Sequence, residues 1–135
     1  MQIKKGTTRT VILVGSYAIK VPRFWHQYSG HRWKIFLRGI LANIDESFWW
    51  KCAFQKEKLC PVLWKSPLGF ILVMKRAEPL TEEEYDKEKF ENEFKLLPLD
   101  NKMINFGKVE NRIVLIDYAD SRYLCSDCSN CWKNR

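Results

Sequence analysis

No Asp or Glu occurs before Asp45, while the same stretch holds Lys4, Lys5, Arg9, Lys20, Arg23, Arg32, Lys34 and Arg38. Long apolar runs are also missing: nowhere do eighteen apolar residues follow one another, which excludes an ordinary transmembrane helix. The opening residues, Met1-Gln2-Ile3-Lys4-Lys5-Gly6, carry no apolar stretch of signal-peptide length, so the expectation is a soluble, cytoplasmic protein with no membrane partner. Without a secretory signal, the odd count of five cysteines argues against a disulfide framework. There is no internal repeat and no low-complexity linker, and histidine is reduced to His26 and His31. Those two sit in an aromatic-rich segment and are read as surface or packing residues rather than general bases.

What is present suits one folded domain of 135 residues, since domains run to about 100–200 residues. With 46% hydrophobic and 29% charged residues, wholesale disorder is excluded, and 14% aromatic residues supply core material. The net charge of +7 is unevenly spread. Glu78, Glu82, Glu83, Glu84, Asp86, Glu88, Glu91 and Glu93 face only Lys87 and Lys89, whereas the first third is wholly basic. A basic segment of that kind favours a polyanion such as nucleic acid, a nucleotide's phosphates or an acidic protein surface. The alternative is a solvated surface whose two halves partly neutralise one another.

The element pattern is α+β: an antiparallel sheet with one long and one short helix. Residues 8–14 and 17–21 are β-branched and apolar around a Gly15-Ser16 turn, and residues 1–5 can add a strand before Gly6-Thr7. Trp33, Phe36, Leu37, Ile40, Leu41, Ile44 and Phe48 recur at spacings of three and four, which predicts a helix over about 31–50 with this stripe inward. Gly39 weakens that helix locally. A second hairpin spans 61–65 and 70–74. A short acidic helix is predicted over 81–94 with Thr81 as its N-cap. A third hairpin turns at Asn111-Arg112 and leads to Asp117.

Four features could carry chemistry: Tyr17-Ala18-Ile19-Lys20, a lysine ending a strand; Glu46 in the long helix; Asp100-Asn101-Lys102-Met103-Ile104-Asn105 in an irregular stretch; and Asp117 after an apolar strand. A strand lysine can neutralise phosphate and a helix carboxylate can hold it in place. An Asp near a hydroxyl can accept its proton, while an Asn and a further Asp can ligate Mg²⁺ through oxygen.

In this order the features resemble the protein kinases. Tyr17-Ala18-Ile19-Lys20 looks like their Val-Ala-Ile-Lys strand, Asp100-x-Lys102-x-x-Asn105 has the spacing of their catalytic loop, and Asp117-Tyr118-Ala119 stands where they have Asp-Phe-Gly. The chain is also similar to small kinase-like proteins of bacteriophages. The resemblance implies a kinase N-lobe with a rudimentary C-lobe over residues 1–120 and a Cys-rich tail over 121–135. It further implies ATP and Mg²⁺ as ligands, Lys20 on the phosphates oriented by Glu46, Asp100 as base with Lys102 beside it, and Asn105 and Asp117 as metal ligands. Lys20, Asp100, Asn105 and Asp117 are then expected to converge on one cleft. Residues 70–79 would form the fifth strand and hinge, with Lys75-Arg76-Ala77 passing the adenine.

Departures from the family pattern temper the function. Gly-x-Gly-x-x-Gly is absent, which leaves Gly6-Thr7-Thr8 or Gly15-Ser16 to cover phosphates; Leu97-Pro98-Leu99 precedes Asp100 in place of His-Arg; and few residues follow Asp117. The leading expectation is therefore a minimal kinase-like protein that binds ATP·Mg²⁺ and transfers phosphate weakly, to itself or to a dedicated partner, if at all. Two alternatives stand beside it. One is a catalytically inactive, pseudokinase-like module, of phage origin, that engages an acidic host protein or a nucleoprotein. The weaker is a nucleic-acid-binding domain using the basic third interleaved with Trp25, Tyr28 and Trp33. Cys125, Cys128 and Cys131, with Cys52, Cys60 or His31 as a fourth ligand, could hold zinc, but the missing second Cys pair argues against it.

Overall fold

The computed structural model describes residues 1–6, 8–23, 32–53, 55–95 and 102–118. In chain order these form β1 (Gln2–Lys5), β2 (Arg9–Val14), β3 (Tyr17–Pro22), α1 (Arg32–Cys52), β4 (Val62–Lys65), β5 (Leu72–Lys75), β6 (Glu78–Pro79), α2 (Lys87–Glu93), β7 (Phe106–Val109) and β8 (Arg112–Leu115). The architecture is α+β. A five-stranded antiparallel sheet has the order β1-β2-β3-β5-β4, and a smaller sheet has the order β6-β7-β8. Two helices accompany them among the described residues, and none there is long and apolar enough to cross a membrane. The tail from residue 119 onward, with Cys125, Cys128 and Cys131, lies outside the described residues, so the boundary expected at 120–121 does too.

Local chemistry explains the hairpins. Gly15 has φ +54, a left-handed value glycine adopts without steric cost, and it closes the β2–β3 turn where the sequence predicts it. The β7–β8 connection departs from the expected turn at Asn111-Arg112. Glu110 (φ 53) and Asn111 (φ 65) make it, and Arg112 already pairs with Val109. Two positive-φ residues match the twist of the flanking strands. This register leaves Val114 and Leu115 buried.

The short helix also differs from expectation. It begins at Lys87 rather than beside Thr81, because Asp86 is extended and its carboxylate accepts the Lys89 N–H at 3.1 Å. Residues 82–84 form a turn instead. Glu84 accepts from the Thr81 N–H at 2.9 Å and pairs with Lys108 of β7 at 2.6 Å, so its carboxylate ties the turn to the small sheet. Phe90 of α2 and Phe94, which caps its C-terminus, then pack against Phe106, with ring centroids 4.7 and 5.2 Å away.

The two sheets meet through one buried cluster. Leu72 and Met74 of β5, Leu59, Cys60, Val114, Leu115 and Tyr118 belong to it together with the phenylalanines. A parallel bridge joins Leu59 to Leu115, and the Tyr118 hydroxyl donates to Cys60 O at 2.8 Å.

The long helix forms as predicted but presents a different face. Its buried positions are Ile35, Gly39, Asn43, Glu46, Ser47 and Trp49, while Trp33, Leu37, Leu41 and Ile44 of the apolar stripe are exposed. Gly39 supplies part of the reason. A Cβ there would lie 2.6 Å from Thr8 O and 2.8 Å from Pro22 Cα, so only glycine lets the helix lie this close to the ends of β2 and β3. The remainder of the reason is electrostatic and concerns the site.

Candidate functional site

β3 turns alternate side chains to opposite faces. Ala18 and Lys20 point inward and are buried, which carries a primary amine beneath the sheet against α1. Such an amine needs a counter-charge, and Glu46, fully buried on α1, provides it. Lys20 Nζ lies 2.9 Å from both carboxylate oxygens of Glu46 and 2.8 Å from Ile116 O. These three acceptors match the three protons of an ammonium.

Arg9, at the start of β2 and also buried, reaches the same carboxylate. Its Nη1 lies 2.9 Å from Glu46 Oε2 and its Nη2 lies 3.1 Å from Oε1, while Nη2 also donates to Asp117 Oδ1 at 3.0 Å. The Tyr118 backbone N–H adds a contact to Glu46 Oε1 at 3.3 Å. Asn43, one turn before Glu46 on α1, accepts from Arg9 Nη1 at 3.2 Å and donates to Lys20 O at 3.2 Å and Gly69 O at 2.8 Å. One amide thus ties α1 to β3 and to the β4–β5 turn.

Two cations and two carboxylates make this network formally neutral. Burial alone would push the Glu46 carboxyl up, but the adjoining Arg9 and Lys20 cations outweigh it and hold its pKa at about 2. Burial likewise works against the Arg9 cation, and Glu46 and Asp117 overcome it, so its pKa moves up. Asp117 differs from the rest of the network: its side chain is 52% exposed.

Of the residues singled out in the sequence, Lys20, Glu46 and Asp117 come together here. Asn105 adjoins them through the backbone, where its carbonyl accepts the Ile116 N–H at 2.8 Å. Lys102 is exposed, at the start of the 3₁₀ turn Met103–Asn105. The Gly6 N–H donates to Arg9 O at 2.8 Å, so it is already used within its own turn, and Thr8 O accepts the Arg23 N–H at 2.9 Å. Thr7, Asp100, Trp25, Tyr28, His26 and His31 lie outside the described residues, so the expected convergence of Asp100 on this cluster does too. Cys60 is buried, donates to Lys75 O at 3.2 Å and has its thiol pKa pushed up to about 11, first by burial. That environment opposes the thiolate a metal would require.

Sequence reasoning does not find Arg9 and Asn43 as members of the site, and it gives Tyr118 only as part of the Asp117-Tyr118-Ala119 motif. Arg9 looked like one more surface cation. Asn43 offered the one usable signal, since it lies three residues before Glu46 and therefore on the same helix face. Burial of Arg9 and Lys20 also removes both from the basic surface expected to meet a polyanion; Lys4, Lys5, Lys34 and Arg38 remain exposed.

The donor set does not suit Mg²⁺ at Asp117. A guanidinium already neutralises Oδ1 from 3.0 Å and would repel a second cation. Among the described residues, no three or more His, Cys, Asp or Glu side chains gather into a metal-holding group. A cleft of about 520 Å³ lies elsewhere, lined by Ser16, Tyr17, Lys75, Arg76, Lys108 and Glu110 among others, and none of the network residues borders it. No protein-family model, curated protein or solved structure matches the chain.

Proposed function

We propose that the chain is a minimal protein-kinase-like domain that binds a nucleoside triphosphate, ATP, beside Lys20, with little or no phosphoryl transfer. The observation that carries this reading is the two-oxygen contact of Lys20 on the third strand with Glu46 on the helix that follows it. In protein kinases a lysine on the third strand and a glutamate on the following helix pair in this way to position phosphates. Asp117 adds support, because it follows the β7–β8 hairpin directly and joins the same network through Arg9.

The chemistry available to such a site is limited. Lys20 would contact a phosphate by exchanging its bond to Ile116 O, while Glu46 keeps the ammonium in place. Kinase catalysis needs both the lysine–glutamate pair and an aspartate that holds the metal. Here the pair is formed and the aspartate faces a guanidinium, so binding without efficient transfer is the behaviour expected. Were the chain phage-encoded, as the resemblance implies, it would act in a host cytoplasm.

The test is thermal unfolding with ATP. A ligand of the native state at about 100 times its Kd stabilises by about 2.7 kcal/mol. The melting temperature should rise with ATP, and Lys20→Met should abolish the rise. A wild-type chain indifferent to millimolar ATP, with or without Mg²⁺, would sink the reading. Radiolabelled ATP, with Asp100→Ala as control, would then measure any transfer to the chain itself or to generic acceptors.

A second reading has its own observation. Lys4, Lys5, Lys34 and Arg38 stay exposed on a chain with no acidic residue before Asp45, which supports a non-catalytic module for an acidic protein or nucleoprotein. Salt-sensitive retention by such a partner, with no response to ATP, is its signature.

A further inference from the structure

We infer that Arg9 is the resident cation of this site and excludes a divalent ion from Asp117, so that Asp117 alternates between the guanidinium and any metal rather than serving both. The inference takes the location of the site from the proposed function. It departs from what the kinase resemblance implies, in which Asp117 is a Mg²⁺ ligand.

The geometry separates a fixed partner from a movable one. Arg9 is anchored on three sides: its backbone lies in the β2–β3 ladder opposite Pro22, Nη1 is held by Asn43 Oδ1 and Glu46 Oε2, and Nη2 by Glu46 Oε1. Those acceptors are buried, so moving the guanidinium would take one of the two cations from Glu46 and leave Asn43 Oδ1 without its donor. Asp117 is bonded to the network through Arg9 Nη2 at 3.0 Å, and half of its side chain faces solvent. The carboxylate can therefore leave more easily than the arginine.

Charge argues the same way. Arg9 and Lys20 balance Glu46 and Asp117, so the closed network presents no net negative charge to attract a divalent ion. Mg²⁺ takes near-octahedral oxygen coordination and gives up its water reluctantly. At Asp117 it would meet one carboxylate whose inner oxygen already faces a cation. Removing the guanidinium charge while keeping hydrogen-bonding capacity should uncover Asp117 and leave the carboxylates of the network under-neutralised by Lys20 alone.

The experiment uses the full chain and Mn²⁺ alone, with no nucleotide. Loss of the free-Mn²⁺ electron paramagnetic resonance signal reports binding, and the melting temperature reports its effect on the fold. Wild type should show no saturable site below millimolar Mn²⁺. Arg9→Gln should gain one site, binding at least about tenfold more tightly than wild type, with Mn²⁺ raising its melting temperature. Arg9→Gln/Asp117→Asn should lose the gain. If Arg9→Gln does not fold, Arg9→Lys serves instead, since one ammonium faces Glu46 but cannot span both carboxylates, and a smaller gain is expected. Equal Mn²⁺ affinity in wild type and in the folded variant would overturn the inference, as would a gain that survives Asp117→Asn. A chain that shows the Mn²⁺ gain but never responds to ATP would remove the proposed function and leave this inference standing.

Discussion

The face of α1 that bears Asn43 and Glu46 meets the five-stranded sheet through charges, whereas α2 meets the three-stranded sheet through rings. In the first interior, Arg9, Lys20 and Glu46 are buried and each hydrogen bond depends on its neighbours. In the second, Phe90, Phe94 and Phe106 share contacts that have no direction to satisfy beyond packing. Both exclude water, but they fail differently. An interior of rings loses stability in proportion to what is removed. A charged interior loses most when half a pair goes, and loses little when the whole set is replaced by apolar groups. The charged version under β3 is the feature on which the proposed function rests.

The sharpest way to break the contrast is at Glu46. Glu46→Ala leaves buried Lys20 with no counter-charge and Arg9 with only half-exposed Asp117, and losing a partner of a buried pair costs about 3–5 kcal/mol; because two cations are affected, the upper end is expected in urea titration. Replacing all three charges, as Arg9→Met/Lys20→Met/Glu46→Leu, should by contrast return stability to within about 1 kcal/mol of wild type or above it. That triple variant should retain the fold while losing any ATP response. If it unfolds, the network is indispensable to the fold itself.

Phe106→Ala, at the centre of the ring cluster, should cost about 3–5 kcal/mol by cavity formation, at the lower end because neighbouring rings can lean in. A loss larger than that of Glu46→Ala would reverse the order assigned to the two interiors.

Acid separates them without mutation. Glu46 is folded with a pKa of about 2, below the unfolded carboxyl value of about 4.3. Its contribution is therefore complete above about pH 4.3 and is lost as pH falls from there towards 2. Stability measured across that window should decline in wild type, and the decline should be shallower in the apolar triple variant. Phe106→Ala should leave its slope unchanged. Smallest of all is Asp117→Asn, expected to cost about 0–1 kcal/mol because the side chain is half exposed and its pair with Arg9 is solvent-screened on one side.

Much of the local structure was legible in the residues. β-branched residues around Gly15-Ser16 mark β2 and β3, whereas the inward face of Lys20 is not legible there, because Ile19 and Val21 are the apolar alternates and only the structure buries Lys20. Glu46 was identifiable as a candidate partner for it, though Asp45 alongside made the choice ambiguous. The turn at Glu110-Asn111 was misplaced by one residue, because Asn111 can serve either position of a tight turn and pairing of Val109 with Arg112 decides between them. The start of α2 was misplaced because Thr81 and Asp86 are both acceptable caps, and the bond between Glu84 and Lys108 of a later strand favours the second.

Composition and spacing on their own determined an α+β chain, its hairpins and a long helix over about the right residues, while the pairing of Lys20 with Glu46 was implied only by the kinase resemblance. They could not determine which side of that helix faces inward. Apolar periodicity points to Trp33, Phe36, Leu37, Ile40, Leu41, Ile44 and Phe48; of these Phe36, Ile40 and Phe48 are half-buried and the other four exposed, and the folded chain buries Asn43 and Glu46 with Ile35 and Trp49. Periodicity counts what each residue would gain by leaving water alone, whereas Glu46 gains by meeting Arg9 and Lys20, which arrive from strands 37 and 26 residues away. The contact of Arg9 with Asp117 spans 108 residues, and no local pattern encodes it. Only the closing of both sheets around one cluster brings those charges together, and only there does Arg9 become part of the site rather than one more surface cation.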